Sequence, residues 1–394
     1  MMSGAFALAT MMSMSSCSGL VDAIFGVEDN PSSSTPATTP TVPGIPSDDS
    51  ATPNPTLSLD PNTTIPNPGS EVVTQSGQTV IKFNLTGIVD PTEVGGWLKL
   101  YGTGSSIQNV WMEIDGNAKG IAVINTIDES TVTSAVDLVF LVDNSGSMGQ
   151  EADAVANGID AWAQKLSNTL DMKFGCVGYD GQLTGALNMT TVDELSNFLA
   201  QGYGTSRTYH FGGADAADLQ TAASSYHNNW NECGVAALRY ATDLFNFRTG
   251  ANRVFVNFTD EPNQPNNQEK WSVEWVNPVN GNWKPAMGTI HTVFSDERDA
   301  AYSETDSRWT PLRTECPWLL STYTGGTKKF APSSFSGVTL DDLPITGALM
   351  NSYVISVTNV TSLFDGQEHT VKITILNADG SIRAEKEFKM IFTK

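Results

Sequence analysis

The sequence predicts an α/β domain with a doubly wound, mostly parallel sheet, set within or flanked by a β-sandwich. An unbroken apolar run, residues 138–142, ends at Asp143, which is typical of a strand buried on both faces. Apolar strands and helical patterns then alternate up to residue 351, as expected for an α/β unit. Short strands separated by Gly-rich or Asp-Gly turns lie on both sides of this region, which favours antiparallel β-structure there.

Composition limits the classes of function. The chain has 394 residues, with 43 Asp and Glu against 21 Lys and Arg, and a net charge of -22. Binding to nucleic-acid phosphates needs a basic face, so we expect no nucleic-acid partner. No apolar run reaches the ~18 residues of a membrane-spanning helix. The four Cys and four His are too scattered for a zinc motif or a disulfide scaffold, although a Cys233–Cys316 bridge stays open.

The amino terminus carries small and apolar residues up to Cys17. It resembles a bacterial lipoprotein signal over residues 1–17, with Cys17 as the acylated residue, but no Lys or Arg precedes Lys82. A frayed terminus is the alternative. Ser18 follows Cys17, which by resemblance to Gram-negative sorting rules implies the outer membrane or cell surface. Residues 18–70 are rich in Pro, Ser and Thr, which predicts a disordered stalk and membrane contact through the lipid alone.

The β-rich flanks comprise residues 71–134 and 352–394. Strands are predicted at 80–85, 97–101, 107–114 and 120–124 before the α/β domain, and at 353–357, 369–376 and 388–392 after it. Neither set has enough strands to bury its own face. One sandwich interrupted by an inserted domain at 135–351 is therefore the favoured organisation, and two separate small β modules are the alternative.

Inside residues 135–351 the apolar periodicity defines the elements. After the first strand, helices are predicted at 150–170, 193–201, 214–226, 319–324 and 339–351, and strands at 172–179, 253–260 and 290–294. A Thr-Gly-Gly turn ends the helix at 319–324. Pro344 fits only the first turn of the last helix.

Asp143, Ser145 and Ser147 form an Asp-x-Ser-x-Ser motif between the first strand and its helix. Ligands of open α/β sheets bind at the carboxyl ends of strands, and hard divalent cations prefer oxygen ligands. The motif resembles the metal-ion-dependent adhesion site of von Willebrand factor A (VWA) domains, which have a Rossmann-like fold shared with integrin inserted domains. The domain organisation of the whole chain resembles that of integrin β subunits, in which an A-type domain is inserted into a β-sandwich.

The resemblance implies further ligands. Asp260 ends a later strand and matches the third-loop acid of the family. The Gly-Gly-Thr loop of many A domains is absent, and Glu232, which precedes a helix, resembles the integrin β alternative. A Glu at a helix start also has a simple explanation in the helix dipole. An adjacent cation site would use Glu151 and Asn229, although Asn229 stands where that pattern has an acid.

In this interpretation Ser145, Ser147 and Glu232 bind Mg²⁺ directly, and Asp143 and Asp260 act through water. Mn²⁺ or Ca²⁺ would suit the same oxygens. One coordination position stays open for a carboxylate from a protein partner.

The predicted function is non-enzymatic, divalent-cation-dependent adhesion or protein binding at the bacterial cell surface. An envelope structural or assembly protein, whose metal only stabilises the fold, is the first alternative. The second is a carbohydrate-binding or hydrolytic surface protein. In that case Trp271, Trp275 and Trp283 would form a platform that binds carbohydrate. The simpler interpretation is that these three residues anchor the loop.

Overall fold

The structure is a computed structural model. It describes residues 44–56, 58–61, 63–93, 95–102, 107–126, 135–200, 211, 213–214, 221–226, 231–332, 340–377 and 383–394. Among these residues no helix has the length and hydrophobicity needed to cross a membrane.

The described strands and helices follow one another in this order. The strands are β1 Gly69–Gln75, β2 Gln78–Leu85, β3 Val89–Asp90, β4 Gly96–Trp97, β5 Val110–Ile114, β6 Asn117–Ala118, β7 Ile121–Asn125, β8 Val136–Asp143, β9 Met172–Tyr179, β10 Leu183–Thr190, β11 Gly213–Ala214, β12 Asn252–Thr259, β13 Thr289–Ser295, β14 Lys328–Ala331, β15 Tyr353–Val357, β16 His369–Leu376 and β17 Arg383–Met390. The helices are α1 Gly149–Ser167, α2 Val192–Leu199, α3 Gly234–Leu244, α4 Leu319–Thr324 and α5 Pro344–Met350.

A seven-stranded mixed sheet forms the centre of the α/β part, in the order β11-β10-β9-β8-β12-β13-β14. Its neighbouring strands are parallel except β9 and β10, which are antiparallel. Every residue of β8 is buried, as the apolar run predicts. Leu138 and Phe140 pack with α1, α2 and α5, whereas Val139 and Leu141 pack with α3 and α4. Helices therefore cover both faces of the sheet.

Two four-stranded antiparallel sheets form the β-rich part, in the orders β1-β2-β15-β7 and β17-β16-β5-β6. Each sheet combines strands from before and after the α/β part. Phe83 and Ile355 of the first sheet share one apolar cluster with Met112 and Ile373 of the second. The strands on the two sides of the α/β part therefore bury one common core, not two separate cores.

The described part of the predicted stalk, from residue 44 onward, packs against these sheets. Ile45 and Ile65 are buried. Asp48 pairs with Lys119, and Asn54 Nδ2 donates to Thr374 Oγ1 at 2.8 Å. The expectation of a disordered spacer is therefore wrong for the described residues of 44–70, because side chains far along the chain provide partners that composition cannot reveal.

Several predicted elements change length. The predicted strand at 97–101 is paired only at Gly96–Trp97, and the strand predicted at 388–392 is β17, which starts five residues earlier among alternating charged residues. Strand β10 was not predicted, because its sequence alternates weakly. Of the helix predicted at 214–226, residues 221–223 are helical and residues 215–220 lie outside the described part.

The last predicted helix is also shorter than expected. A 3₁₀ turn at Leu340–Asp342 precedes α5, which begins at Pro344. Proline has no N–H and is favoured in the first turn, so the helix starts there instead of running through it. Trp162 of α1 holds the first turn of α5 in place by donating to Thr346 Oγ1 at 2.8 Å.

Candidate metal site

The predicted ligands meet at the carboxyl edge of the seven-stranded sheet. β8 and β12 are parallel neighbours, with Val142 paired to Phe258, so both strands end side by side. The loop after β8 carries Asp143, Ser145 and Ser147, and Asp260 directly follows β12.

The first loop is held by the buried carboxylate of Asp143. Its Oδ1 accepts the Ser145 N–H at 3.0 Å, and its Oδ2 accepts the Thr259 hydroxyl at 2.9 Å. The Asn144 N–H donates to the Tyr179 carbonyl oxygen at 2.6 Å, which ties the loop to β9. Asp143 therefore shapes the loop and joins it to the end of β12.

The two hydroxyls of this loop form a row toward the third loop. Ser145 Oγ and Ser147 Oγ lie 3.0 Å apart, and Ser147 Oγ donates to Asp260 Oδ1 at 3.2 Å. Ser145 is buried, whereas Ser147 is exposed. The row therefore runs from the protein interior to the surface.

Glu232 reaches the same row from the segment before α3. Its half-buried carboxyl shares a side-chain hydrogen bond with Ser145, and its carbonyl oxygen accepts the Gln264 N–H at 2.9 Å. Burial, followed by the charges of Glu261 and Asp260, raises the pKa of Glu232 to about 7, against the opposing effect of the Ser145 hydrogen bond. Ionisation of the Glu232 carboxyl at this position, without a cation, is therefore unfavourable.

The other acids show the same crowding. Burial raises the pKa of Asp143 well above its ordinary range, and the charges of Glu232 and Asp260 add to the effect. Burial also raises the pKa of Asp260, although Ser147 donates a hydrogen bond to it. A bound divalent cation would stabilise all three carboxylates in the ionised form.

The donor set fits a hard cation that uses hydroxyl as well as carboxylate oxygens. Among the described residues, no group of three or more His, Cys, Asp or Glu side chains is placed to hold a metal by itself. The hydroxyls of Ser145 and Ser147 lie between the carboxylates and complete an all-oxygen set. Mg²⁺ accepts such oxygens and keeps several waters, whereas zinc sites favour His and Cys.

The structure therefore brings together all five predicted ligands, Asp143, Ser145, Ser147, Glu232 and Asp260. Of the two residues expected at the adjacent cation site, the structure describes only Glu151. Glu151 is buried at the start of α1, and its charge raises the pKa of Asp260, whereas Asn229 lies outside the described residues, as does Cys17.

Two contributors were missed from the sequence. Thr259 binds Asp143, and a hydroxyl directly before the strand-ending acid is a signal that the sequence does contain. Glu261, directly after Asp260, is half-buried, and its pKa is raised by burial and by the charge of Asp260. Its charge also acts on Glu232.

Two of the three tryptophans of the expected platform are buried, Trp275 is half-buried, and the Cys233–Cys316 bridge is not formed. Trp271 and Trp283 are buried, and Trp283 Nε1 donates to the Gly288 carbonyl oxygen at 2.9 Å, so these residues anchor the loop. Cys233 and Cys316 are free, buried thiols.

No model of a known protein family matches the chain, and neither does any curated protein. Among solved structures, the adhesive tip pilin GBS104 of Group B Streptococcus agalactiae aligns at 15% identity and a TM-score of 0.24, over 33% of this chain and 46% of that chain. The vWF domain of the type V pili tip protein Mfa5 from Porphyromonas gingivalis aligns at 15% identity and 0.22, over 34% and 40%. The PilB minor pilin from Streptococcus sanguinis aligns at 13% identity and 0.30, over 71% and 76%.

The chain thus spans less than half the length of the first two structures.

Proposed function

We propose that the α/β part is a doubly wound, VWA-type domain that binds a divalent cation at the edge where β8 and β12 end. Ser145, Ser147 and Glu232 would bind Mg²⁺ directly, and Asp143 and Asp260 would act through hydrogen bonds and water. The observation that carries the proposal is the joining of three loops by hydrogen bonds among oxygen side chains: Ser145 to Ser147, Ser147 to Asp260, and Ser145 to Glu232.

The cation would serve adhesion. Ser147 is exposed, so the outer end of the hydroxyl row is open to a partner. Two neutral hydroxyls in the ligand set leave the cation electrophilic, so a carboxylate from a protein partner would bind well in the remaining position. The proposed setting is the cell surface, with the chain anchored through an acylated Cys17. In this proposal the protein is a binding protein and not an enzyme.

Metal binding is tested first, because adhesion depends on it. Chelator-stripped protein is titrated with Mn²⁺ and bound metal is followed by electron paramagnetic resonance. Asp143→Asn should abolish binding. Asp137→Asn is the matched control, because Asp137 is equally buried at the other end of the same strand, where it binds Arg248. Equal Mn²⁺ affinity of Asp143→Asn and the unsubstituted protein would remove the proposed site.

Adhesion is tested separately. Cell-surface extracts are passed over the immobilised protein with Mg²⁺ and eluted with chelator, and the Asp143→Asn protein serves as the comparison. A partner retained by both proteins, or retained in chelator, would contradict cation-dependent binding.

One observation favours the alternative that the metal only stabilises the fold. Glu232 already lies against Ser145, so the protein itself supplies a carboxylate to the site. In that case Mn²⁺ would bind and raise the unfolding temperature, but no chelator-sensitive partner would be retained.

A further inference from the structure

The helix that follows Glu232 lacks a cap from its own sequence. The N-cap residue of α3 is Cys233, which makes no side-chain capping bond. The first N–H groups of a helix need acceptors, and a buried helix start without them is destabilised. Here Asn263, from the loop after β12, provides the acceptor, because its Oδ1 accepts the Val235 N–H at 3.2 Å and the Cys233 thiol at 3.2 Å.

The amide of Asn263 can do this in only one orientation. Its Nδ2 donates to Glu315 Oε2 at 3.0 Å and to the Trp271 carbonyl oxygen at 3.0 Å. A flipped amide would place its oxygen against the Glu315 carboxylate and its NH₂ group against the helix N–H, so both contacts would become repulsive. Glu315 therefore keeps the oxygen of Asn263 directed at the start of α3.

Glu315 is itself held rigidly. Its two carboxylate oxygens accept four donors: Asn263 Nδ2 at 3.0 Å, Val273 N at 2.8 Å, Ser272 Oγ at 2.6 Å and Leu312 N at 3.0 Å. Its main chain also pairs with that of Asn263 in both directions, at 3.0 and 2.8 Å. The acceptor capacity of this buried carboxylate is therefore used for structure, which leaves it no role as a ligand.

These bonds connect two of the three metal loops. Asn263 lies three residues after Asp260, and the adjacent Gln264 N–H binds the Glu232 carbonyl oxygen at 2.9 Å. The segment that carries Asp260 is therefore attached to the main chain of Glu232 and to the helix start directly after it. Asn263, held by its partner Glu315, therefore links the main chain after Asp260 to the main chain after Glu232.

We propose that Asn263 and Glu315 are positioning residues of the cation site, which hold Glu232 in register with Asp260 without touching the metal. The inference rests on the proposed function, since it assigns these residues to the same site. Groups that orient metal ligands commonly change metal affinity by ~10–100-fold when they are removed.

The test compares two asparagines of equal burial. Asn263 and Asn109 are each 3% exposed, and each amide both accepts from a main-chain N–H and donates to a main-chain carbonyl oxygen. Asn109 lies in the β-rich part, far along the chain from the metal loops. Mn²⁺ affinity is measured by electron paramagnetic resonance on stripped Asn263→Ala, Asn109→Ala, Asp143→Asn and unsubstituted protein, with thermal unfolding of each.

We expect both Ala variants to unfold at lower temperature, but only Asn263→Ala to bind Mn²⁺ about tenfold or more weakly. Unchanged affinity in Asn263→Ala, together with lost binding in Asp143→Asn, would overturn the positioning role and leave the cation site intact. Absence of Mn²⁺ binding by the unsubstituted protein would instead refute the proposed function.

A second pair of variants covers the case in which Asn263→Ala does not fold. Asn263→Asp has the same shape but places a second carboxylate against that of Glu315 and against the Trp271 carbonyl oxygen, so Mn²⁺ affinity should fall. Adding Glu315→Gln allows the amide of residue 315 to donate to the new carboxylate, so part of the affinity should return. Equal affinities of the single and double variants would overturn the proposal.

Discussion

Replacing Glu232 by Gln should have opposite effects on stability without and with a cation. In the metal-free protein the folded-state pKa of Glu232 is about 7 against an ordinary 4.5, so the folded state holds the proton more tightly than the unfolded chain. This side chain therefore opposes folding increasingly as the pH rises from 4.5 to 7, and fully above that. Gln cannot ionise, so Glu232→Gln removes the opposition.

The size of the effect follows from the pKa. A rise from 4.5 to about 7 corresponds to about 3 kcal/mol for a fully buried carboxyl. Because Glu232 is only half-buried, solvent screening reduces this to about 1–2 kcal/mol. At pH 8 without metal, Glu232→Gln should therefore unfold about 2–4 °C higher than the unsubstituted protein. At pH 4, below the ordinary pKa of the carboxyl, most of this advantage should vanish.

Mg²⁺ should make the unsubstituted protein more stable than Glu232→Gln. At about 100 times its Kd, a cation bound only by the folded state adds about 2.7 kcal/mol to the unsubstituted protein. The neutral amide is a poorer ligand than the carboxylate, so the variant should gain much less. The assay is differential scanning calorimetry at both pH values with chelator or Mg²⁺. Glu194→Gln, on the exposed surface of α2, is the control. It should leave the unfolding temperature unchanged, both with chelator and with Mg²⁺.

Two results would refute the reasoning. One is a metal-free Glu232→Gln protein that is less stable than the unsubstituted protein at pH 8, because the carboxyl would then not be destabilised by its surroundings. The other is equal stabilisation of both proteins by Mg²⁺, because Glu232 would then not be a ligand.

Two further predictions concern the surrounding fold. Burial lowers the pKa of His369, but hydrogen bonds to Asp115 and Asp365 outweigh burial and raise it, so His369 contributes stability at low pH that is lost as the pH rises through its folded-state pKa. His369→Asn should therefore lower the unfolding temperature more at pH 6 than at pH 9, and an equal loss at both would contradict the charged pair. Gly347→Ala in α5 should destabilise the protein by ~1–3 kcal/mol in chemical denaturation, because the new Cβ would lie 2.2 Å from Trp97 Cζ2. The stabilisation that Ala normally brings to a helix interior would show that Trp97 moves freely.

The first metal loop was predictable because its contacts are local. Asp143 binds the N–H of Ser145 two residues on, and the hydroxyls of Ser145 and Ser147 lie within the same turn. The buried strand before the loop follows from its apolar run. Glu232 and Asp260 were identified through resemblance to a known family, and the structure brings both to the same place.

The remaining contributions depend on contacts between distant residues. The hydroxyl of Thr259 binds a residue 116 positions earlier. The described stalk residues pack because Lys119 and Thr374 meet them, and a Pro-rich composition gives no sign of such partners.

By itself, the sequence determined the alternation of strands and helices, the buried strand β8 and the oxygen-rich loop after it. These features depend on hydrophobic periodicity and on side chains within a few residues of one another. The tertiary structure decided that strands from both flanks share two sheets, that the row of hydroxyls reaches Asp260, and that Asn263 and Glu315 hold the start of α3. Those outcomes depend on which distant segments pack together, because a buried polar group takes whichever partner the fold brings to it.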